Sequence, residues 1–258
     1  MTYRARIGVC CNAYLRISQA QALAERLKLP FTQTTADLPF DYLLCYTTDR
    51  LELRPQGFQA INPVAVDFLS GRLGYRLLHE RSKRQPLAKA MGLKRASKPK
   101  VIDATAGTGR DALVLALLGC QVLMMERSPI IAALLSDGLQ RAAKSATLSE
   151  LIYHRVNLKC SDAITYLKSL PTDERPDIVY LDPMYPPRKK SAEIKKEMRI
   201  LRDIVGDDSD ANALLESALA CATGRVVAKR PRLTGPLPGP TPSAIVQGKT
   251  TRYDIYLL

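Results

Sequence analysis

The sequence predicts a doubly wound α/β protein: a mostly parallel seven-stranded sheet with a C-terminal antiparallel hairpin, preceded by a small N-terminal α/β region. Three observations carry that prediction. From residue 100 onward, short runs rich in Val, Ile and Leu alternate with longer segments of helical apolar spacing. Parallel strands and their crossover helices produce that pattern. A glycine-containing turn, DATAGTGRDA (103–112), joins the first of these strands to the first helix. The last two apolar runs, SAIVQG and RYDIYLL, lie around GKTT, a connection too short for a crossover, so they pair antiparallel.

Taken in order, RIGVCC reads as a strand and LRISQAQALAERLKL as an amphipathic helix that ends before Pro30. DYLLCY and RLELRP read as strands around the turn-like TTD, and VAVDFL (64–69) as a further short strand. Residues 1–70 thus form the small α/β region. Residues 71–99 form a basic connecting segment, helical in parts, with Pro86 suited to the first turn of a helix. The larger domain spans 100–258. Its strands are KVIDATA, QVLMMER, RVNLKCSD, PDIVYLD, RVVAKRPR, SAIVQG and RYDIYLL. Between them GRDALVLALLGC, PIIAALLSDGLQRAAK and AITYLKSL read as helices, and 191–224 is largely helical around a break at GDDSD. A terminal hairpin on such a sheet points to the methyltransferase variant of the Rossmann-like fold rather than to a plain dinucleotide fold.

With 258 residues and 46% hydrophobic content the chain can bury a sizeable core. No run approaches the ~18 apolar residues of a membrane span. The N-terminal MTYRARIGVCCNAYLR lacks the sustained apolar stretch of a secretory signal. Six cysteines (10, 11, 45, 120, 160 and 221) include no CxxC pair, and there are only two histidines. Neither a zinc site nor a disulfide framework is expected, and reduced thiols in the cytoplasm are.

The net charge of +13 is concentrated. Segments 70–100, 186–202 and 225–232 hold 21 Lys/Arg against 3 Asp/Glu, whereas the other 202 residues carry a net −5. Such clustering is the footprint of a phosphate backbone, although a solvated basic face has the same composition. The candidate nucleic-acid contacts are Arg81, Lys83, Arg84 and Lys89, then Arg188, Lys189 and Lys190, then Lys229 and Arg230.

Two loops carry chemistry. In DATAGTGRDA, Gly107 and Gly109 allow close backbone approach and positive φ where a helix N-terminus offers unpaired amides. The next strand ends on Glu126, at the spacing of a carboxylate that grips ribose hydroxyls, so an adenosine-containing cofactor is expected. The G-x-G-x-x-A spacing also fits a nicotinamide dinucleotide. Asp103 at the first strand end and Ser161-Asp162 at the third suit S-adenosylmethionine better, and neither His79 nor His154 lies at a strand end.

The fourth strand ends in Asp182-Pro183-Met184-Tyr185. This resembles the Asp/Asn-Pro-Pro-aromatic motif of methyltransferases that modify exocyclic amino groups. The lone pair of a base amino group is delocalised into the ring and is a poor nucleophile. A carboxylate and the carbonyl of Pro183 can accept its hydrogens and orient it, while Tyr185 stacks on the extruded base.

Several blocks in one order extend the likeness: DATAGTGRDA, MMERSP with LLSDGL, VYLDPMYP, KKSAEIKKEMR, VVAKRP and RYDIYLL, with VDFLSG and QPLAKAMGL before them. Together they resemble the ribosomal RNA small subunit methyltransferase J family over about residues 60–258. The resemblance implies methylation of guanine N2 in small-subunit ribosomal RNA, with S-adenosylmethionine as donor. Adenine N6 is the alternative that spacing leaves open. By motif position it places Arg110, Asp111, Glu126, Arg127, Ser161, Asp162 and Asp182 around the cofactor, with Asp103, Gly107 and Gly109 from the glycine loop. Small-subunit ribosomal RNA or the subunit itself is the expected partner, no membrane contact is expected, and the chain is expected to act as a monomer.

Overall fold

The computed structural model describes residues 5–33, 39–57, 62–71, 74, 85–93, 98–184, 196–206 and 209–258. The chain folds into two compact units. One comprises Met1–Asp67, Ser128–Gln140 and Met184–Asp207, and the other Phe68–Arg127, Arg141–Pro183 and Asp208–Leu258.

The first unit is built on a four-stranded sheet ordered β2-β1-β3-β4, with β1 Ile7–Cys11, β2 Phe31–Thr32, β3 Tyr42–Tyr46 and β4 Leu51–Pro55. Helix α1, Ile17–Leu27, follows β1 and buries Ala20, Leu23 and Ala24. It ends at Lys28, whose left-handed backbone at φ 55° closes the last turn. Strands β1, β2 and β3 are parallel and β4 is antiparallel to β3. The expected strand at 64–69 is reduced to one bridge, in which Val64 exchanges both backbone hydrogen bonds with Leu53. Val64, Val66 and Phe68 are buried.

The second unit carries the seven-stranded sheet, ordered β10-β11-β9-β8-β5-β6-β7. Its strands are β5 Lys100–Asp103, β6 Gln121–Glu126, β7 Val156–Cys160, β8 Ile178–Leu181, β9 Arg225–Pro231, β10 Ala244–Gln247 and β11 Thr251–Leu257. Pairing is parallel from β7 through β9, and β11 is antiparallel to both β9 and β10. The predicted seven-stranded sheet with its antiparallel C-terminal pair is therefore present.

The helices are α2 Pro86–Ala90, with Pro86 in its first turn, α3 Arg110–Leu117, α4 Pro129–Ala143, α5 Ser149–Arg155, α6 Ala163–Ser169, α7 Lys196–Val205 and α8 Ala211–Cys221. Sequence periodicity did not reveal α5, whose seven residues SELIYHR bury only Ile152.

The core lies where the continuous apolar runs predict it. All four residues of β8 are buried, as are Val226, Val227 and Ala228 of β9 and Ala112–Ala116 of α3. Burying a side chain such as Leu113 or Leu115 contributes about 1.5–3 kcal/mol relative to exposure. The six cysteines are free thiols, five buried and Cys160 exposed. Among the described residues no helix is long and apolar enough to cross a membrane.

Candidate active site

In the second unit the chain runs from β5 outward to β6 and β7, then returns to place β8 on the other side of β5. Strand order thus reverses at β5, and the crevice beyond the carboxyl ends of β5 and β8 is where open α/β sheets hold ligands.

The glycine loop begins at that reversal. Asp103, the last residue of β5, is only 2% exposed and accepts a hydrogen bond from the Thr105 amide at 3.2 Å. Burial pushes its carboxyl up to about 8; the Thr105 amide opposes this, and the nearby Asp111 and Asp182 carboxylates reinforce it. Gly107 and Gly109 both have positive φ, at 54° and 72°. A side chain would be strained at either position. Gly109 is the residue from which α3 starts, and Asp111 lies in the first turn of that helix. Arg110, its first residue, is exposed.

Glu126 closes β6. It is buried, and its Oε2 accepts the Gly107 amide at 2.9 Å. The loop is held a second time by the Ala106 amide, which donates to the Met125 carbonyl. Beyond β7, the Ser161 amide donates to the Glu126 carbonyl at 3.0 Å. Asp162 caps α6, its Oδ1 accepting both the amide and the hydroxyl of Thr165 at 2.8 Å. Arg127 turns to Asp210, Nη1 donating to both carboxylate oxygens at 3.1 and 2.9 Å.

The corner after β8 joins the same edge. The Asp182 amide donates to Thr105 Oγ1 at 2.6 Å, which fastens the Asp182-Pro183 corner to the glycine loop. Asp182 Oδ2 accepts Lys229 Nζ at 2.8 Å, and the same ammonium donates to Asp111 Oδ2 at 2.7 Å. Asp111 Oδ2 also accepts the hydroxyl of Tyr180 at 2.7 Å. Burial and then the two carboxylates raise the phenol of Tyr180, so it stays protonated and donates. Burial by itself lowers the Lys229 ammonium, but Asp182 and Asp111 outweigh it and the net shift is upward. Lys229 therefore stays charged throughout the working range of pH.

The structure thus brings together Asp103, Gly107, Gly109, Asp111, Glu126, Ser161 and Asp182, all of them predicted from sequence. Thr105 and Tyr180 join them unforeseen: each sits inside a motif that reads as small or apolar. Lys229 and Arg230, grouped above with the basic RNA contacts, are placed otherwise. Lys229 bridges two aspartates, and Arg230 is buried with its Nε donating to the Gly235 carbonyl at 3.1 Å. Both lie in the basic run VVAKRP, which reads locally as surface charge, so the sequence offered no signal of this placement. Lys89 is exposed on α2. Tyr185, Arg81, Lys83, Arg84, Arg188, Lys189 and Lys190 lie outside the described residues.

Comparison with known proteins bears on this edge. A family model described as a putative SAM-dependent methyltransferase matches residues 22–258. Two proteins named ribosomal RNA small subunit methyltransferase J are 49% identical over 239 residues, from Thioalkalivibrio sulfidiphilus, and 48% identical over 252 residues, from Coxiella burnetii. The first alignment covers 93% of this chain and 92% of the relative, and the second 98% and 97%. The chain belongs to the ribosomal RNA small subunit methyltransferase J family. A crystal structure of a SAM-dependent methyltransferase from Neisseria gonorrhoeae, 34% identical, superposes with a TM-score of 0.75 over 97% of this chain and 95% of that one.

The family's cofactor is S-adenosylmethionine, and the nicotinamide alternative is set aside. The residues present fit the group. Two positive-φ glycines leave the backbone of the loop open to close approach, and a buried carboxylate ends the next strand. Both belong to the strand-end crevice where adenosine-containing ligands bind in this fold.

Proposed function

We propose that the protein methylates the exocyclic N2 of a specific guanosine in small-subunit ribosomal RNA, in the cytoplasm. The observation that carries this reading is the 2.6 Å hydrogen bond from the Asp182 amide to Thr105 Oγ1, which fastens the Asp182-Pro183 corner to the glycine loop. A corner suited to an amino group thus stands beside a loop suited to S-adenosylmethionine. The choice of small-subunit RNA is supported by relatives that carry the name ribosomal RNA small subunit methyltransferase J at 48–49% identity, and the choice of guanine rests on the resemblance of the sequence blocks to that family.

Asp103, Gly107, Gly109, Arg110, Asp111, Glu126, Arg127, Ser161 and Asp162 would hold the donor, which supplies an electrophilic methyl group when bound. The protein's own residues then act on the acceptor. The Asp182 carboxylate and the Pro183 carbonyl accept hydrogens of the amino group, turn its lone pair toward the methyl and favour tetrahedral nitrogen. The nitrogen gains a methyl group and must lose one proton, for which Asp182 is the adjacent acceptor. Tyr185 stacks on the base once it leaves the RNA stack. The basic segments supply most of the affinity through phosphate contacts without reading the base.

The test is incubation of small subunits lacking the modification with labelled S-adenosylmethionine, followed by mass mapping of the labelled nucleotide. A methyl on guanine N2 is expected, and Asp182→Ala should lower the single-turnover rate by roughly 10²–10³ with RNA affinity nearly unchanged. Label on adenine, or a near wild-type rate for a folded Asp182→Ala protein, would overturn the assignment.

A further inference from the structure

Lys229 stands in the middle of the site although its strand belongs to a basic segment. Strand β8 ends at Leu181, because Pro183 cannot continue a ladder. Strand β9 runs on to Pro231. The last register pair between them is Leu181 with Ala228, so the next residue of β9, Lys229, comes level with Asp182. On its other side Lys229 pairs with Tyr253 of β11. Its side chain is 22% exposed, and its ammonium reaches Asp111 Oδ2 at 2.7 Å and Asp182 Oδ2 at 2.8 Å. A phosphate-binding lysine keeps its ammonium solvated and mobile; this one is tied at both ends.

We propose that Lys229 is a positioning residue of the methyl-transfer site, its ammonium locking the Asp182 carboxylate to Asp111 in the first turn of the helix that follows the glycine loop. The inference rests on the role of Asp182 given under Proposed function. The cationic centre faces Asp111 from α3, Asp182 and Tyr180 from the end of β8, Tyr253 from β11, and Asp103 from β5, whose carboxyl feels Lys229 as well as the other two aspartates. Two carboxylates, Asp111 and Asp182, thus share one ammonium. Removing it leaves Asp182 beside like charges and without its anchor. The carboxylate then takes a proton at higher pH and loses its fixed aim. Neither effect concerns the RNA backbone.

The experiment measures single-turnover rates against pH on undermethylated small subunits for wild type, Lys229→Gln, Lys229→Arg, Asp182→Asn and the double variant Lys229→Gln/Asp182→Asn. Salt dependence of RNA binding and donor affinity by calorimetry are recorded alongside. Lys229→Gln should lose about 10²-fold in rate, and the acidic limb of its rate profile should move up by about 1–3 pH units. Lys229→Arg, whose guanidinium can also bridge two carboxylates, should keep the wild-type limb. The double variant should be no slower than Asp182→Asn alone, because Lys229 acts through Asp182. The salt slope should not change.

A raised KM with a shallower salt slope and an unmoved limb would make Lys229 a phosphate contact and overturn the inference. An unimpaired Asp182→Asn would remove the corner itself. A slow Asp182→Asn beside an unaffected Lys229→Gln would remove only the role of Lys229. Should Lys229→Gln fail to fold, Lys229→Gln/Asp111→Asn removes one charge of each sign, and a wild-type rate in that variant would equally overturn the inference.

Discussion

Replacing Glu126 separates the loop tie its carboxylate makes from the ribose-binding role proposed for it. The residue ends β6 and is buried, and its Oε2 accepts the Gly107 amide at 2.9 Å. Its backbone carbonyl accepts the Ser161 amide, a bond that any substitution retains. Glu126→Ala should therefore do two things. It removes the proposed acceptor of the ribose hydroxyls, a hydrogen bond to a charged group worth about 1–3 kcal/mol, or roughly 5- to 150-fold in Kd for S-adenosylmethionine. It also leaves the Gly107 amide without this partner. Because that loop is only half-buried, water recovers part of the loss, and about 1 kcal/mol of stability is expected to go. Glu126→Gln keeps a neutral acceptor for Gly107, so it should weaken donor binding while leaving the donor-free protein close to wild-type stability. Titration calorimetry with S-adenosylmethionine, paired with thermal melts of the donor-free variants, measures both quantities. An alanine variant that melts early but binds the donor as wild type does would refute the ribose role and leave Glu126 as a loop tie alone.

Two further outcomes are expected. Neutralising Arg188, Lys189 and Lys190 together should reduce the slope of log affinity for RNA against log salt by about 2–3, with donor affinity unchanged, and an unaltered slope would make this run a solvated face. Asp103→Asn should flatten the pH dependence of stability. The folded protein holds the Asp103 proton up to about 8 whereas the unfolded chain releases it near 3.8, so wild-type stability falls as pH rises from about 4 to about 8. The asparagine side chain still accepts the Thr105 amide, so the gain in Tm over wild type should grow across that window and level off above it. Equal Tm differences at pH 5 and pH 8.5 would count against the burial argument.

Much of this fold was legible because its signals are local. Continuous apolar runs mark β5, β6, β8 and β9 wherever a strand is covered on both faces, and the glycines at 107 and 109 mark a turn only glycine makes without strain. Strand ends were equally legible: Asp103, Glu126 and Asp182 each follow an apolar run and stand at a carboxyl end. What escaped depends on register and on distance along the chain. Lys229 belongs to the same basic cluster as Arg225 and Arg232, and nothing local says that β9 outruns β8 by enough to bring it level with Asp182. Tyr180 counts as one more apolar residue of IVYLD until α3 places Asp111 against its hydroxyl. Val64–Leu69 has the alternation of a strand, yet its pairing with β4 is a single bridge at Val64. The segment Ser128–Gln140 belongs to the same unit as the N-terminal sheet, a grouping that no window of sequence contains.

The charge distribution has a physical logic that the net value conceals. S-adenosylmethionine carries a positive sulfonium and RNA is a polyanion, so a methyltransferase of RNA needs negative charge for one ligand and positive charge for the other. Carboxylates occupy the strand ends: Asp103 at the end of β5, Glu126 at the end of β6, Asp162 after β7 and Asp182 after β8. In the sequence, lysines and arginines concentrate in 70–100, 186–202 and 225–232. The arrangement creates a local difficulty, because Asp103, Asp111 and Asp182 repel one another at the edge where the acceptor must also fit. Burial resolves it at Asp103, which keeps its proton near neutral pH. A single ammonium resolves it for Asp111 and Asp182 together. An aspartate that must stay ionised to accept the hydrogens of an amino group, and must not turn away from it, is best held by a cation that is itself held. Two aspartates and the neighbouring strand β11 hold Lys229 in that way.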